Sequence, residues 1–191
     1  MPDQPDEANP FETSADLRDW LANHHEVASE LWVRIYKNGS GRRSVAWNDC
    51  VVEAIAYGWI DGQKKPLDAG SYLQRLTPRK PKSNWSKKNR DHAERLIATG
   101  RMTAAGQLHI DAAKADGRWE NAYAGSSDMV IPEDFLTALE SNPTAKAFFA
   151  TLDRKNLYPI YYRLHTAKRP ETRAKRLKVM VEQLARGERF H

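Results

Sequence analysis

Apolar positions along this chain follow two periods, and the switch between them outlines the fold. Leu17, Trp20 and Leu21 fall at i, i+3 and i+4 behind Thr13 or Ser14, which predicts a capped helix ending near His24–His25. LWVRIYK (31–37) instead alternates around Val33 and Ile35 and stops at Asn38-Gly39, the pattern of a strand. After the loop GSGRR, Ser44 can cap a buried helix that carries Trp47, Cys50, Val51, Ala54 and Ile55 on one face and ends at Gly58. Two short strands follow, over 59–63 and 72–77, joined by a turn through Pro66 to Gly70. Tyr72, Gln74 and Leu76 are expected on one side of the second strand, with Leu73, Arg75 and Thr77 on the other.

Beyond residue 83 the period is helical throughout. Ser83 or Ser86 starts a helix with Trp85, Asn89, Ala93, Leu96 and Ile97 inward, and Thr103 caps another that runs to Asp116-Gly117. Residues 118–131 read as an irregular connection. Pro132 then opens a helix with Phe135, Leu136 and Leu139 inward, and Pro143 opens one with Ala147, Phe148 and Leu152 inward. Ile160, Tyr161 and Leu164 mark a third. Pro170 suits the first position of a fourth, which carries Leu177, Met180, Val181 and Leu184. The expected class is α+β: a helix-rich single domain with a small antiparallel sheet of about three strands and a helical C-terminal part. Its organisation is a disordered acidic lead-in over 1–12, an α+β core over 13–117, the connection 118–131, and a helical region 132–191 packed on the core.

Charge alters this picture. The formal net charge is +5, yet residues 1–30 hold eight acids and one base, whereas 63–101 hold eleven bases and three acids. Residues 168–189 add eight bases against three acids. Such asymmetry favours an anionic partner, or an acidic N-terminus lying over the basic surface. The lone Cys50 suits a reducing compartment, and neither a signal peptide nor an apolar run of membrane-spanning length is evident, so a cytoplasmic location is expected.

The candidate chemistry is concentrated in two stretches. GWIDG (58–62) places Trp59 and Asp61 after the most buried helix; Asp61 is either a turn cap or a ligand anchor. LTPRKPKSNWSKKNR (76–90) holds six basic side chains and no acid. It reads in three ways. One is a solvated loop with Trp85 as a core anchor. Another is a small-anion site built from Arg79, Lys82, Ser83 and Asn84. The third is a polyanion stripe with Trp85 as a stacking platform. If the two stretches meet, Asp61 could orient Arg75 or Arg79. No nucleotide fingerprint, serine elbow or metal-spaced histidine pair is present, and no catalytic residue, cofactor or metal is assigned. The readings carried forward are a non-enzymatic binder of a small anion or acidic protein partner, a nucleic-acid binder, and an enzyme using Asp61 or Glu53.

ELWVRIYKNGSG, VAWNDCVVEAIAYGWIDGQKKPLDAGSYLQRLTPRKPKSNWSKKN, RLIATGRMTAAG, AKADGRW and AKRPETRAKRL together resemble the YdeI/OmpD-associated, or bacteriocin-protection-like, proteins. The resemblance runs from about residue 16 to residue 189. It implies a tolerance role against antimicrobial peptides, and it supplies no catalytic residue.

Overall fold

Thr13 begins the ordered architecture with a reciprocal cap. Its hydroxyl accepts from Asp16 N, and the Asp16 carboxylate accepts from Thr13 N at 2.8 Å. The computed structural model describes residues 10–190, and the fold is α+β, with eight helices and one three-stranded antiparallel sheet among those residues. Contacts divide the chain into two units that meet in sequence at Asn121 and Ala122, within the stretch read as a connection.

The first unit contains α1 (Ser14–His24), β1 (Leu31–Tyr36), α2 (Trp47–Ala56), β2 (Trp59–Asp68), β3 (Ser71–Pro78), α3 (Lys87–Ala98) and α4 (Ala104–Ala115). The sheet order is β1-β3-β2, so β3 is central. Alternation assigns the two faces. Leu31, Val33 and Ile35 of β1 and Leu76 of β3 join Leu17, Leu21, Cys50, Ala54 and Trp59 in one core. Arg75 belongs to the opposite face, where Lys65 lies 4.6 Å over the Trp32 ring and Glu30 bonds both Trp32 and Arg75. Long charged arms thus cover the apolar body of Trp32, which is buried.

The hairpin differs from the two short strands read from sequence. β2 continues through Lys64, Lys65 and Pro66, and the chain turns at Asp68–Ser71. The register shifts between Asp61 and Lys64, which is a β-bulge. The buried Gln74 amide fills it, donating to Gly62 O at 3.0 Å and Arg75 O at 3.2 Å. A polar residue on the core face of a central strand is therefore satisfied by carbonyls that the bulge would leave open.

Four other expectations are corrected. Ser44 does not cap α2: its hydroxyl accepts from Tyr36 N at 2.9 Å, and Ala46 holds the cap position. Trp47, expected inward, is 39% exposed. The buried stripe of α3 runs through His92, Ala93 and Leu96, and Ile97, expected to share it, lies one residue past Leu96 at the stripe's edge and is 41% exposed. The disordered lead-in expected over 1–12 lies outside the described residues up to residue 9; Phe11 itself is buried in the core, and its carbonyl accepts from Val45 N at 2.8 Å.

The second unit contains α5 (Glu133–Glu140), α6 (Pro143–Phe149), α7 (Arg154–His165) and α8 (Pro170–Ala185). Phe135, Leu139, Ala145, Ile160, Leu164, Met180 and Leu184 form its core; Leu136 and Ala147, expected inward, are exposed. Asn142 and Asp153 cap α6 and α7 through their side chains. The basic start of α8 has identified partners. Arg173 makes a bidentate contact with Asp134 and also caps α7 at Leu164 O, while Arg176 donates to Arg163 O at 2.6 Å. Asp134 is thus one acidic neighbour that offsets the cationic first turns.

Candidate functional site

The eight residues singled out from sequence fall into separate environments. Trp59 is core, and its Nε1 donates to His25 O at 3.1 Å. Asp61 pairs in register with Leu76 on the α2 side of the sheet and accepts from Trp47 Nε1 at 3.3 Å. Arg75, on the other face, donates to Glu30 at 2.7 Å. Arg79, Ser83, Asn84 and Trp85 do come together. The Arg79 guanidinium lies 3.8 Å over the Trp85 ring and donates to Ser83 Oγ and Asn84 O, both at 3.1 Å. Ser83 Oγ in turn donates to Lys80 O, and the buried Arg118 donates to Ser83 O at 2.8 Å. Trp85 packs edge-on against Trp119 with centroids 5.0 Å apart. Lys82 is exposed beside this cluster. Two arginines therefore read the carbonyls of the basic loop, and they fix it as a folded element.

The carboxylates considered for acid/base chemistry are also engaged. Glu53 is 2% exposed; Arg18 holds it in a bidentate contact at 2.9 and 3.0 Å, and Arg101 adds a third bond at 2.6 Å. That hydrogen bonding raises the Arg18 pKa. Burial pushes the Cys50 thiol up to about 12, with Asp49 adding to the effect, so it is no thiolate at neutral pH.

A different concavity collects the exposed chemistry. A groove of about 870 Å³ opens beside the loop between β1 and α2 and is lined by Tyr36, Lys37, Arg42, Arg43, Trp47 and Tyr72, among others. Cations sit over its rings: Arg42 5.4 Å from the Tyr36 centroid, Lys64 3.8 Å from Tyr72, and Lys88 4.8 Å from Trp47. Glu12 also lines it. Gly39 and Gly41 both adopt positive φ, with open space where a Cβ would stand, so the loop's backbone is reachable. Both sequence stretches contribute to this groove through one residue. Asp61 fixes the Trp47 indole and Lys88 lies on its face. Sequence reading passed over Arg42 and Arg43; the available signal was a two-glycine loop followed by paired arginines directly after an aromatic strand end.

Residues 9–109, slightly more than half of the chain, match a family model described as a domain of unknown function, DUF8412. The chain belongs to the DUF8412 family. The groove-lining residues and most of the residues that carried the earlier resemblance lie inside this DUF8412 match. Residues 128–187 match a second model, described as bacteriocin-protection, YdeI or OmpD-associated, which bears out the resemblance over the second unit. No curated protein and no solved structure matches the chain. Among the described residues, no helix is long and apolar enough to cross a membrane.

Proposed function

We propose that the DUF8412 unit is a binding module for a small anionic ligand that carries a flat or apolar group. The observation that carries this reading is the groove itself, where Lys37, Arg42 and Arg43 stand beside the rings of Tyr36, Trp47 and Tyr72. Guanidinium forks match carboxylate or phosphate oxygens, and the rings supply apolar contact to the rest of the ligand. The engaged state of Glu53 and the high pKa of Cys50 favour binding over turnover. A tolerance role of the kind named in the second unit's family description would use such a module for capture, in the cytoplasm if the single buried cysteine reflects its compartment.

Isothermal titration with adenosine monophosphate, benzoate and inorganic phosphate tests this. Saturable binding of at least one probe is expected, weakened about tenfold or more by combined Arg42→Ala and Arg43→Ala, a loss of at least 1.4 kcal/mol. An oligothymidine probe should give a log-affinity slope against log salt of about −2, since three cations neutralise about three phosphates at roughly 0.7 each. Absence of binding by every probe, or indifference to the double substitution, overturns the proposal. A slope several times steeper replaces it with a nucleic-acid function.

A further inference from the structure

The sequence carries one Asn-Gly pair, Asn38-Gly39, and the structure singles it out among the asparagines. An asparagine side chain and the next backbone nitrogen can close a five-membered ring, and a following glycine puts no side chain in the way. Asn38 and Gly39 are the central residues of the turn after β1, which Ser40 N closes by donating to Lys37 O at 3.1 Å. Gly39 has φ +87°, and nothing stands within 4 Å of where a Cβ would be. Both residues are exposed, and residues 37–46 belong to no helix or strand. Among the described residues, no hydrogen bond engages the Asn38 side chain or Gly39 N.

The other asparagines are held or blocked. Asn23 Nδ2 donates to Asp19 O at 2.7 Å, Asn121 Nδ2 to Gly117 O at 3.0 Å, and Asn156 Nδ2 to the Asp153 carboxylate at 2.6 Å. Asn48 and Asn89 lie within α2 and α3, where the helical backbone is fixed against the rotation that ring closure needs. Asn9 and Asn142 precede prolines, whose nitrogen has no proton to lose. Asn84 precedes the buried Trp85, a bulky side chain already packed in place.

We propose that Asn38 is a self-modification site on the groove wall, where ring closure and hydrolysis replace a neutral amide by a carboxylate. Gly39 N gives up its proton and bonds to Asn38 Cγ; the Cγ–Nδ2 bond breaks, and the nitrogen takes up that proton and leaves as ammonia. Water then opens the ring at either carbonyl. One product is aspartate at position 38, and the other is isoaspartate, whose main chain runs through Cγ. Water is the only co-reactant. Asn38 lines the groove with Lys37, Arg42 and Arg43, so either product sets a negative charge beside those cations. Isoaspartate also lengthens the backbone between the two arginines and Lys37, whose N is tied to Gly70 O at 2.8 Å. The new carboxylate competes with an anionic occupant for the same cations and weakens its binding. This effect on binding rests on the function proposed for the groove; the modification itself does not.

The test ages the full chain at neutral pH and physiological temperature. Tandem mass spectrometry of its peptides follows each asparagine, and an isoaspartate-specific methyltransferase counts the isoaspartate. Asn38 should convert several-fold faster than any other asparagine. Asn38→Ala, which the turn admits because Asn38 does not have positive φ, should form no isoaspartate there. Adenosine monophosphate, titrated into fresh and aged samples, should bind about threefold or more weakly once Asn38 has converted. Asn38→Asp should reproduce that weakening, and aged Asn38→Ala should bind as it does when fresh. Conversion of Asn38 no faster than that of Asn48 and Asn89 overturns the site. Undiminished affinity in the converted chain overturns its effect on the groove. A fresh chain that binds none of the groove probes overturns the function proposed for the groove, and with it the effect on binding, while mass alone still decides the modification.

Discussion

Glu53 illustrates how far a residue's neighbours decide its use. A carboxylate on the inner face of α2 could serve as a base, but three arginine hydrogen bonds already engage both of its oxygens. Glu53→Gln should therefore act on stability. It leaves Arg18 and Arg101 facing a buried neutral amide, but those arginines are 40% and 42% exposed, so water recovers part of the loss. We expect destabilisation of about 2–3 kcal/mol, read from the urea midpoint at constant slope. Arg79 teaches a related lesson. Its charge and position were legible in the sequence, but not its target, because loop carbonyls carry no sequence signature. A stretch with six bases and no acid leaves a solvated loop, a small-anion site and a polyanion stripe open, and in the structure Arg79 and Arg118 bind carbonyls of the chain itself.

At the scale of elements, period and caps were readable where side chains decide the matter. Thr13, Ser86, Thr103 and Pro170 mark helix starts as expected. What escaped depended on neighbours. The extension of β2 through Lys64, Lys65 and Pro66 has no apolar alternation; it is held by pairing to β3 and by Gln74 in the bulge. The docking of α4 on α2 is likewise tertiary. Thr103 Oγ1 donates to Ala56 O at 2.6 Å, and a Cβ on Gly106 would stand 2.5 Å from that same oxygen and 2.7 Å from Ile55 O. Gly106→Ala should thus overpack the junction by about 1–3 kcal/mol. Gly62→Ala, where the nearest atom lies at 3.7 Å, should change stability much less. Thermal denaturation of the two variants side by side checks the contrast.

For the whole molecule, fewer of the 30 lysines and arginines are free to meet a partner than the sequence suggests, although the net charge stays +5. Arg34, Arg75, Arg118 and Arg173 all hold carboxylates. The same wiring sets a pH response. His92 and His109 are shifted below the ordinary histidine value, His109 by burial and then by Arg79 and Arg118. Between the folded and unfolded values the unfolded chain binds more protons. Their contribution is therefore complete above about pH 6.5 and is lost as pH falls through the folded values. Carboxylates held low by their partners, Glu30 by Arg75 and Asp153 by the Asn156 backbone, give up theirs only in more acidic solution. Urea midpoints should accordingly fall between about pH 7 and pH 5, and substituting both histidines by glutamine should flatten that interval while leaving the acid limb.

Trp47 has a consequence of an optical kind. Of the six tryptophans, Trp32, Trp59, Trp85 and Trp119 are buried and Trp20 is half-buried, whereas Trp47 presents 39% of its surface on the groove wall. Its indole nitrogen is tied to a carboxylate and its face lies under an ammonium, so charge placed in the groove alters the field across the ring. The fold thereby carries its own fluorophore at the rim of the groove. Anionic quenchers such as iodide will find that indole first, and an occupant of the groove will shield it from them.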